Sequence, residues 1–452
     1  MSDESRGEAE GEVFSFPLDF SHHPPDESWS FAHCKPSETT KWTHSYHRYP
    51  AKFIPQLVER LFDEYLPVGD ASVNDPFLGS GTTIVSALAR GYHASGTDIN
   101  RIAFLMTSVK CTPIDPRHLE SKLGDFLRTI AFLHPQSPQF SYDHLGVEPL
   151  IPEKHQARID YWFREDDKIK LGQILRVISR EEDDRIRRFL LLGFSNILKN
   201  CSIWMRDSTK PTRDPDKVPE SPYLALKRQL CRMQKGNEAY CEIVPDRVKR
   251  DVGAYLTVIP GDARHQPASD ESVDLVVTSS PYVTSYEYAD LHQLSTIWLD
   301  LADDLAEYKK AFIGTAYKQY EDPALNSSIA KAIVAQMSSK SAAMAKEIEA
   351  FFTDMQSVIG ESYRILREGG RACYVIGNTR LKGVNILNAE AFAEIMINSG
   401  FRLDRIIKRE IPSKILPQTR DARTGRFARA LEADNHAYPC ELIVIGKKEG
   451  NR

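Results

Sequence analysis

Short apolar runs and amphipathic segments alternate along most of the 452-residue chain. Residues 54–62 carry apolar side chains at helical spacing, and Pro55 suits a first helical turn. A longer amphipathic stretch at 345–367 predicts a second helix. Apolar runs that predict strands occur at residues 71–74, 93–97, 256–262, 273–277, 371–376, 401–410 and 440–445. We therefore expect a chain of mixed helix and strand.

Residues 115–250 have a different, mainly helical pattern. Their clearest 3.6-residue apolar period runs through Ile186, Phe189, Leu190, Phe194 and Ile197. Connections between the strands of one sheet are usually short, so we interpret this segment as an insertion. The other expected parts are an N-terminal tail and arm at 1–36, and a main domain split between 37–114 and 251–452.

Composition narrows the class of protein. Apolar residues make up 41% of the chain and charged residues 27%, as in ordinary soluble proteins. The net charge of −5 means that any nucleic-acid contact must come from local basic surface. The seven cysteines form no Cys-x-x-Cys pair, which argues against a disulfide framework or a metal site. No apolar run approaches 18 residues. We expect a cytoplasmic protein with no metal and no membrane association.

A glycine-containing loop follows the first predicted strand and reads Asp75-Pro76-Phe77-Leu78-Gly79-Ser80-Gly81-Thr82-Thr83. Glycines at a strand-to-helix junction let the backbone approach a ligand, and the helix start offers N–H groups. A phosphate loop would need a lysine that is absent, and the dinucleotide fingerprint needs a glycine where Ile84 stands. After the next strand, Asp98 could accept hydrogen bonds from ribose hydroxyls or cap the following helix.

A second motif, Thr278-Ser279-Ser280-Pro281-Tyr282, closes the apolar run at 273–277. A proline-fixed turn after a strand presents its side chains at the sheet edge where ligands bind in open α/β folds. This turn resembles the Ser/Asp/Asn-Pro-Pro-Tyr motif of the S-adenosylmethionine-dependent DNA amino-methyltransferases, although Ser280 stands where the first proline is usual. The loop at 75–83 matches their Asp-Pro-Phe-x-Gly-Ser-Gly-Thr-Thr sequence throughout.

The resemblance implies a Rossmann-like seven-stranded α/β methyltransferase sheet with a mainly helical insertion, and S-adenosylmethionine as the cofactor. In the family, the segment before the first helix closes over the methionine end of the donor. The acid after the second strand holds the ribose, and the acid after the third meets the adenine amino group. The implied cofactor-binding residues are Lys52, Phe53, Asp75, Pro76, Phe77, Gly79, Gly81, Thr82, Thr83, Asp98, Ile99 and Asp262.

The turn would supply the chemistry. An exocyclic amine is a poor nucleophile because its lone pair is delocalised into the ring. Acceptors that hold its N–H bonds out of the ring plane free that lone pair. By resemblance, Ser279 supplies one acceptor and a backbone carbonyl at 280–281 supplies the other. Tyr282 would stack on a base rotated out of the duplex. The implied catalytic residues are Ser279, Ser280, Pro281 and Tyr282.

Two segments are locally basic in an acidic chain. Residues 201–250 hold eleven Lys or Arg against seven Asp or Glu, and residues 401–430 hold nine against three. Each pattern fits either a solvated surface or phosphate contacts with double-stranded DNA. A loop as long as 412–435 between two strands is usually functional or disordered. The expected DNA-binding residues are Arg206, Lys210, Lys414, Arg420, Arg423 and Arg426.

A serine at the head of the turn is more often associated with methylation of cytosine N4 than of adenine N6. We therefore expect a DNA methyltransferase acting on cytosine N4. The alternatives are N6-adenine methylation, RNA base methylation and a catalytically silent DNA-binding relative. The departure at Ser280 favours the last of these. Whether a cognate restriction nuclease is a partner is left open by the sequence.

Overall fold

The computed structural model describes residues 18–50, 52–67, 69–136, 147–208, 210–283, 288–314, 324–411, 419–420, 435–436 and 440–450. The chain divides into two compact units. The larger unit comprises Cys34–Ala263 and Thr284–Tyr317. The smaller unit comprises Met1–His33, Arg264–Val283 and Lys318–Arg452.

The strands are β1 (Ser72–Asp75), β2 (His93–Asp98), β3 (Leu256–Pro260), β4 (Val273–Ser279), β5 (Leu366–Ile376), β6 (Thr379–Leu381), β7 (Val384–Ile386), β8 (Phe401–Glu410), β9 (Thr419–Arg420), β10 (Asn435–His436) and β11 (Cys440–Lys448). Seven of them form one sheet in the order β3-β2-β1-β4-β5-β11-β8. This order confirms the predicted seven-stranded α/β sheet. Two short ladders, β6 with β7 and β9 with β10, lie outside it.

The helices of the larger unit are α1 (Pro36–Thr39), α2 (Pro55–Tyr65), α3 (Thr82–Ala89), α4 (Arg101–Lys110), α5 (Pro116–Thr129), α6 (Gln156–Trp162), α7 (Glu165–Ser179), α8 (Asp184–Ile197), α9 (Pro222–Ile243), α10 (Asp246–Arg250), α11 (Val252–Tyr255), α12 (Tyr288–Leu291), α13 (Gln293–Trp298) and α14 (Leu305–Lys310). Those of the smaller unit are α15 (Ser328–Ser338), α16 (Ala342–Ile365) and α17 (Asn388–Asn398). Short 3-10 turns lie at Glu27–Trp29, Trp42–Ser45, Ala131–Leu133 and Glu153–His155.

The larger unit contributes three parallel strands to the sheet. Asp75 of β1 lies opposite Gly96 of β2, and Asp98 of β2 lies opposite Pro260 of β3. Because parallel strands end at the same edge, the acids that end β1 and β2 and Asp262, just after β3, share one edge of this part of the sheet. Helix α3 packs on β1 and β2, so the glycine loop between β1 and α3 opens at that edge.

The helical segment between β2 and β3 shares one apolar core with α4. Phe189 and Leu190 of α8, Leu226 and Leu230 of α9, and Met106 of α4 are all buried in it. The apolar period that predicted a helix around residue 190 places these α8 side chains on the buried face. The segment is therefore held to the sheet-bearing part of the larger unit by continuous packing.

The smaller unit contributes four strands. Strand β4 runs parallel to β5, and β11 runs antiparallel to both β5 and β8. The apolar run at 371–376 predicted a strand that begins at residue 371, and that boundary is wrong. Strand β5 already begins at Leu366, and its register against β4 shifts between Val273 and Leu275. Gly369, with φ of +79°, and Gly370 lie inside β5 at this irregularity.

The described part of the N-terminal arm packs on β8. The N–H of Asp26 donates to the carbonyl of Lys408 at 2.7 Å, and a ring nitrogen of His23 lies 3.0 Å from the carbonyl of Ile406. Trp29 is fully buried. Residues 1–17 of the expected tail and arm lie outside the described residues.

Candidate functional site

The glycine loop after β1 has a backbone that other residues adopt only with strain. Gly79 and Gly81 have φ values of +48° and +76°. A Cβ on Gly79 would lie 3.2 Å from the ring of Tyr49, and one on Gly81 would lie 2.7 Å from the hydroxyl of Thr107. Both glycines are therefore required by the backbone conformation and by close packing on the loop.

Asp98 braces this loop from the next strand. Its carboxylate oxygens accept hydrogen bonds from the N–H groups of Gly79 and Asn100, each at 2.8 Å. Burial raises the pKa of Asp98 to about 6, and the two hydrogen bonds act in the opposite direction. The helix cap that the sequence offered as an alternative role belongs to Asn100 instead, because its side chain accepts from the N–H of Ile102 at 3.3 Å.

Three rings cover the loop within the larger unit. Tyr49 stacks on Tyr288 with ring centroids 5.7 Å apart, and it lies 5.1 Å from His292 at a tilted angle. A ring nitrogen of His292 is 3.1 Å from the side-chain amide of Asn100, which links these rings to the end of strand β2, where Asp98 lies. Burial, followed by the charge of Asp98, raises the pKa of Tyr49 well above its ordinary value. Tyr49 therefore stays a neutral phenol.

Two lysines reach the same region from different elements. Lys110, at the end of α4, is 0% exposed and donates to the carbonyl of Ser80 at 2.7 Å. Lys52 donates to the carbonyl of His44 at 3.0 Å. Burial lowers the pKa of Lys52 to about 8, and burial with the charge of Lys52 lowers that of Lys110 well below its ordinary value. Within the described residues neither ammonium group has a carboxylate partner.

Buried polar atoms beside these lysines are also unsatisfied. Both ring nitrogens of His44 and the hydroxyl of Thr107 find no hydrogen-bond partner among the residues that the structure describes. Burial lowers the pKa of His44 well below its ordinary value, followed by the charges of Lys52 and Lys110. Buried polar groups are normally paired, so this neutral imidazole and the two lysines mark a region suited to a polar ligand.

The other predicted cofactor residues lie along the same strand ends. Thr82 and Thr83 are buried in the first turn of α3, and the hydroxyl of Thr82 is 3.0 Å from that of Ser80. The N–H of Phe77 donates to the carboxylate of Asp75 at 3.1 Å. Ile99 follows β2 and Asp262 follows β3, and both are half-buried, as is Phe53, which precedes α2. Pro76 lies between Asp75 and Phe77 and is buried.

The predicted catalytic turn lies in the smaller unit, at the end of β4. Ser279 is half-buried and pairs with Val375 of β5. Ser280 is 1% exposed, and its hydroxyl has no partner among the described residues. Pro281 and Tyr282 are half-buried. The turn thus keeps Ser279 accessible while the residue in the unusual position is buried.

Two residues that the sequence did not indicate hold Tyr282. Its hydroxyl donates to the carboxylate of Glu441 on β11 at 3.3 Å. Glu441 lies 3.8 Å from the guanidinium of Arg409 on β8, and burial lowers the pKa of that arginine. No local pattern could have found Glu441 or Arg409, because they belong to strands that become neighbours only in the folded sheet.

The predicted DNA-binding residues fall into two groups. Arg206 and Lys210 are exposed on a hairpin, in which the N–H of Met205 donates to the carbonyl of Thr212 at 2.9 Å. Arg420 lies in β9, opposite Asn435 of β10. Three further positions are outside the described residues: Lys414, Arg423 and Arg426.

The described ranges contain no group of three or more His, Cys, Asp or Glu arranged to hold a metal ion. They also contain no helix long and apolar enough to cross a lipid bilayer.

Known proteins similar to this chain agree on one family. Residues 4–107 match the family model described as DNA methylase. The Type II methyltransferase M.MvaI of Kocuria varians is 28% identical over 92% of this chain and 93% of its own length. The Type II methyltransferase M.MjaII of Methanocaldococcus jannaschii is 38% identical over 32% of this chain and 25% of its own length.

A solved structure of a DNA modification methylase from Thermus thermophilus, complexed with S-adenosyl-L-methionine, is 18% identical over 42% of this chain and 52% of that chain. Its TM-score of 0.22 is too low to support a structural argument. The family match and the full-length relative carry the assignment, and the loop and turn motifs agree with it. The chain is therefore similar to the S-adenosylmethionine-dependent DNA amino-methyltransferases.

Proposed function

We propose that this protein transfers a methyl group from S-adenosylmethionine to the exocyclic N4 amine of cytosine in double-stranded DNA. The observation that carries the choice of base is Ser279, the accessible serine at the head of the turn after β4. In the family a serine at this place is more often associated with cytosine N4, whereas adenine N6 enzymes usually carry Asp or Asn there.

The larger unit has groups that fit each part of the donor. The Asp98 carboxylate can accept hydrogen bonds from ribose hydroxyls while it braces the loop. Lys52 and Lys110 offer two buried ammonium groups, and a buried charge is costly without a counter-charge. The carboxylate of the donor's methionine would supply that counter-charge. Gly79 and Gly81 let the ring of Tyr49 and the hydroxyl of Thr107 pack closely against the loop.

We assign donor binding to the residues expected from the sequence and add Tyr49 and Lys110. The ring of Tyr49 covers Gly79, and Lys110 holds the carbonyl of Ser80, so both shape the loop. Asp262 follows β3 at the strand-end edge shared with Asp98 and is proposed to meet the adenine amino group. The assigned residues are Tyr49, Lys52, Phe53, Asp75, Pro76, Phe77, Gly79, Gly81, Thr82, Thr83, Asp98, Ile99, Lys110 and Asp262.

When bound, S-adenosylmethionine supplies an electrophilic methyl group on a sulfonium sulfur. The turn of the smaller unit acts on the amine. The Ser279 hydroxyl accepts one N–H of the amine, and a backbone carbonyl at 280–281 accepts the other, which keeps the nitrogen lone pair out of the ring. Pro281 fixes the direction of that carbonyl. Tyr282 stacks on the base, and its bond to Glu441 sets the ring's orientation. Most of the rate enhancement would come from this positioning.

DNA is the proposed substrate, and the exposed Arg206 and Lys210 are proposed to contact it. The same role is proposed for Lys414, Arg420, Arg423 and Arg426. Two of the relatives are Type II methyltransferases by name. A cognate restriction nuclease is therefore a candidate partner for this chain, and the cytoplasm is the proposed location.

The base assignment is tested by expressing the chain in a host that lacks DNA methylation and analysing its nucleosides by mass spectrometry. The expected product is N4-methylcytosine in DNA. Detection of N6-methyladenine alone would reverse the base, and a modified base confined to RNA would change the substrate. A protein that binds donor but modifies neither would be the silent relative that the buried Ser280 favours.

A further inference from the structure

The larger unit contains a second polar cavity, distinct from the glycine loop. Its volume is about 140 Å³, and it lies between the end of α8, the first turns of α9 and the segment that precedes Tyr49. Three arginines line it, namely Arg48, Arg228 and Arg232, together with the side chains of Asn196, Asn200 and Gln229. We call it the arginine pocket.

A chain of hydrogen bonds builds the floor of the arginine pocket. The N–H of Arg48 donates to the side-chain oxygen of Asn196 at 3.0 Å, and the amide of Asn196 donates to Gln229 at 2.9 Å. Gln229 then donates to the carbonyl of Tyr46 at 2.6 Å. These bonds therefore connect residues 46–48 to both α8 and α9, and they fix the backbone positions from which the pocket arginines extend.

One acid lines the pocket, and it is already engaged. Glu220 forms an ion pair with Arg228 and accepts from the amide of Asn200 at 3.1 Å. Among the described residues, neither the Arg48 nor the Arg232 side chain has an acidic partner. The pocket thus holds three guanidinium groups against one carboxylate, an excess of positive charge that favours an anion.

The positive surface continues from the pocket to the hairpin that carries Arg206. Lys199, next to Asn200, donates to the carbonyls of Arg206 and Ser208 at 3.1 and 2.8 Å. The charge of Arg48, after burial, lowers the pKa of Lys199, which indicates that the two cations are close. Burial and then the charge of Arg206 lower the pKa of Lys217 to about 8.

Apolar side chains are also exposed in the part of the larger unit that contains the pocket and the hairpin. Val218 is 72% exposed, and Tyr161, Met205 and Leu224 are each about two-fifths exposed. Leu224 lies one helical turn before Arg228 on α9. The guanidinium of Arg213, at the foot of the hairpin, stacks 4.3 Å from the centre of the Tyr161 ring. Cations mixed with exposed apolar groups suit a surface that meets both the phosphates and the base edges of DNA.

We propose that the arginine pocket binds a backbone phosphate of the substrate DNA and positions the adjoining hairpin against the same duplex. Guanidinium groups bind phosphate oxygens in paired hydrogen bonds, and contacts of this kind fix the register of a protein on DNA. Arg48 directly precedes Tyr49, whose ring covers the glycine loop. A phosphate bound by Arg48 is therefore held by the residue next to Tyr49, whose ring covers the glycine loop. The inference rests on the proposed function, because its ligand is the substrate.

The test measures binding of the full-length chain to a fluorescein-labelled duplex of mixed sequence, about three helical turns long, across a range of NaCl concentrations. The variants are Arg232→Gln and the double variant Arg228→Gln/Arg232→Gln. Arg188→Gln is the matched control. Arg188 lies on α8 two helical turns before the pocket residue Asn196, and it pairs with Asp184. We expect the double variant to bind several-fold more weakly and its salt slope to fall by about 0.9 for the lost phosphate contact. Donor affinity, measured by calorimetry, and the melting temperature should stay unchanged.

Wild-type salt dependence in the double variant would overturn the proposal, as would an equal loss in Arg188→Gln. Tighter binding of a single-stranded RNA of the same length through these arginines would reject DNA as the ligand. Nucleoside mass spectrometry separates the two hypotheses. If the wild-type protein methylates DNA but the arginine substitutions leave duplex binding unchanged, only the pocket assignment fails. If arginine-dependent duplex binding occurs without methylation, only the proposed function fails.

Discussion

The glycine loop of the larger unit and the predicted catalytic turn of the smaller unit are held in different ways. Gly79 is tied to Asp98 by a 2.8 Å hydrogen bond, the carbonyl of Ser80 is held by a fully buried lysine, and rings and hydroxyls pack against both glycines. In the turn, the Ser280 hydroxyl has no partner among the described residues. Tyr282 is anchored through its hydroxyl by a long hydrogen bond of 3.3 Å.

If the proposed roles are right, we expect a preorganised loop and a turn that its ligand completes. The donor is the same molecule in every catalytic cycle, so a rigid loop lowers the entropic cost of binding it. The target base must leave a duplex and enter, and its amine brings hydrogen-bond donors to the turn. Substitutions in the turn should therefore change the rate of methyl transfer but leave donor affinity unchanged. Substitutions in the loop should change donor affinity and stability together.

The largest expected effect is on the turn. Ser279→Ala removes the proposed amine acceptor, and methyl transfer to DNA should fall about 100-fold, the scale seen when one preorganised hydrogen bond at a reacting centre is lost. Donor affinity should not change, because the loop keeps all its contacts. Initial rates with isotopically labelled donor, together with calorimetry, measure both quantities.

The neighbouring serine provides the matched control. Ser280→Ala removes a buried hydroxyl that has no described partner, so the free energy of unfolding should stay the same or rise by about 1 kcal/mol. The rate of methyl transfer should remain within about twofold of the wild-type rate. Equal losses in both variants, or full activity in Ser279→Ala, would contradict the assigned role of Ser279.

A smaller effect is expected in the loop. Gly81→Ala forces a side chain into a backbone with φ of +76° and brings its Cβ to 2.7 Å from the Thr107 hydroxyl. The free energy of unfolding should fall by about 1–3 kcal/mol, and donor affinity should fall about tenfold through misplaced loop groups. Chemical denaturation and calorimetry measure the two losses.

Gly360→Ala is the control for this substitution. Gly360 lies in α16, and no atom comes within 4 Å of the position of an added Cβ. Alanine at an unobstructed helix position should raise the free energy of unfolding by about 0.5–1 kcal/mol. Unchanged donor affinity in Gly81→Ala would show that the loop is not the donor site.

The smallest expected effect is in the pH dependence of donor affinity. The Asp98 pKa of about 6 means that its carboxylate, which is proposed to accept from ribose, forms as pH rises through that value, so affinity should rise there. The Lys52 pKa of about 8 means that its ammonium is lost as pH rises through that value, so affinity should fall there. Each limb should change affinity by up to about tenfold per pH unit.

Calorimetric titrations of wild type, Asp98→Asn and Lys52→Gln separate the two limbs. The donor's own α-amino group titrates in the alkaline range, so the Lys52 contribution is the difference between wild type and Lys52→Gln. The raised pKa of Asp98 also affects stability. Without donor its contribution is fully present below the unfolded pKa near 3.8 and is lost as pH rises through about 6. An alkaline limb that persists unchanged in Lys52→Gln would contradict the lysine assignment.

The sequence predicted the strands and contained the loop motif because both signals are local, while the donor-binding role of the loop stays a prediction. Nine consecutive residues from Asp75 to Thr83 carry the loop, and short apolar runs mark the strands. It misjudged the start of β5, because Gly369 and Gly370 lie inside the strand just before the apolar run at 371–376. It also offered Asp98 as a helix cap, a role that Asn100 performs two residues later.

By itself, the sequence determined the fold class, the resemblance to the family and the two motifs, since each depends on residues close together in the chain. Only the tertiary structure decided which distant residues support them. Lys110 ends an ordinary helix and reaches Ser80, while Glu441 lies far along the chain from the tyrosine that it binds. The arginine pocket likewise joins Arg48 to helices well over a hundred residues away. Burial and strand pairing create such contacts, and neither is encoded in local spacing.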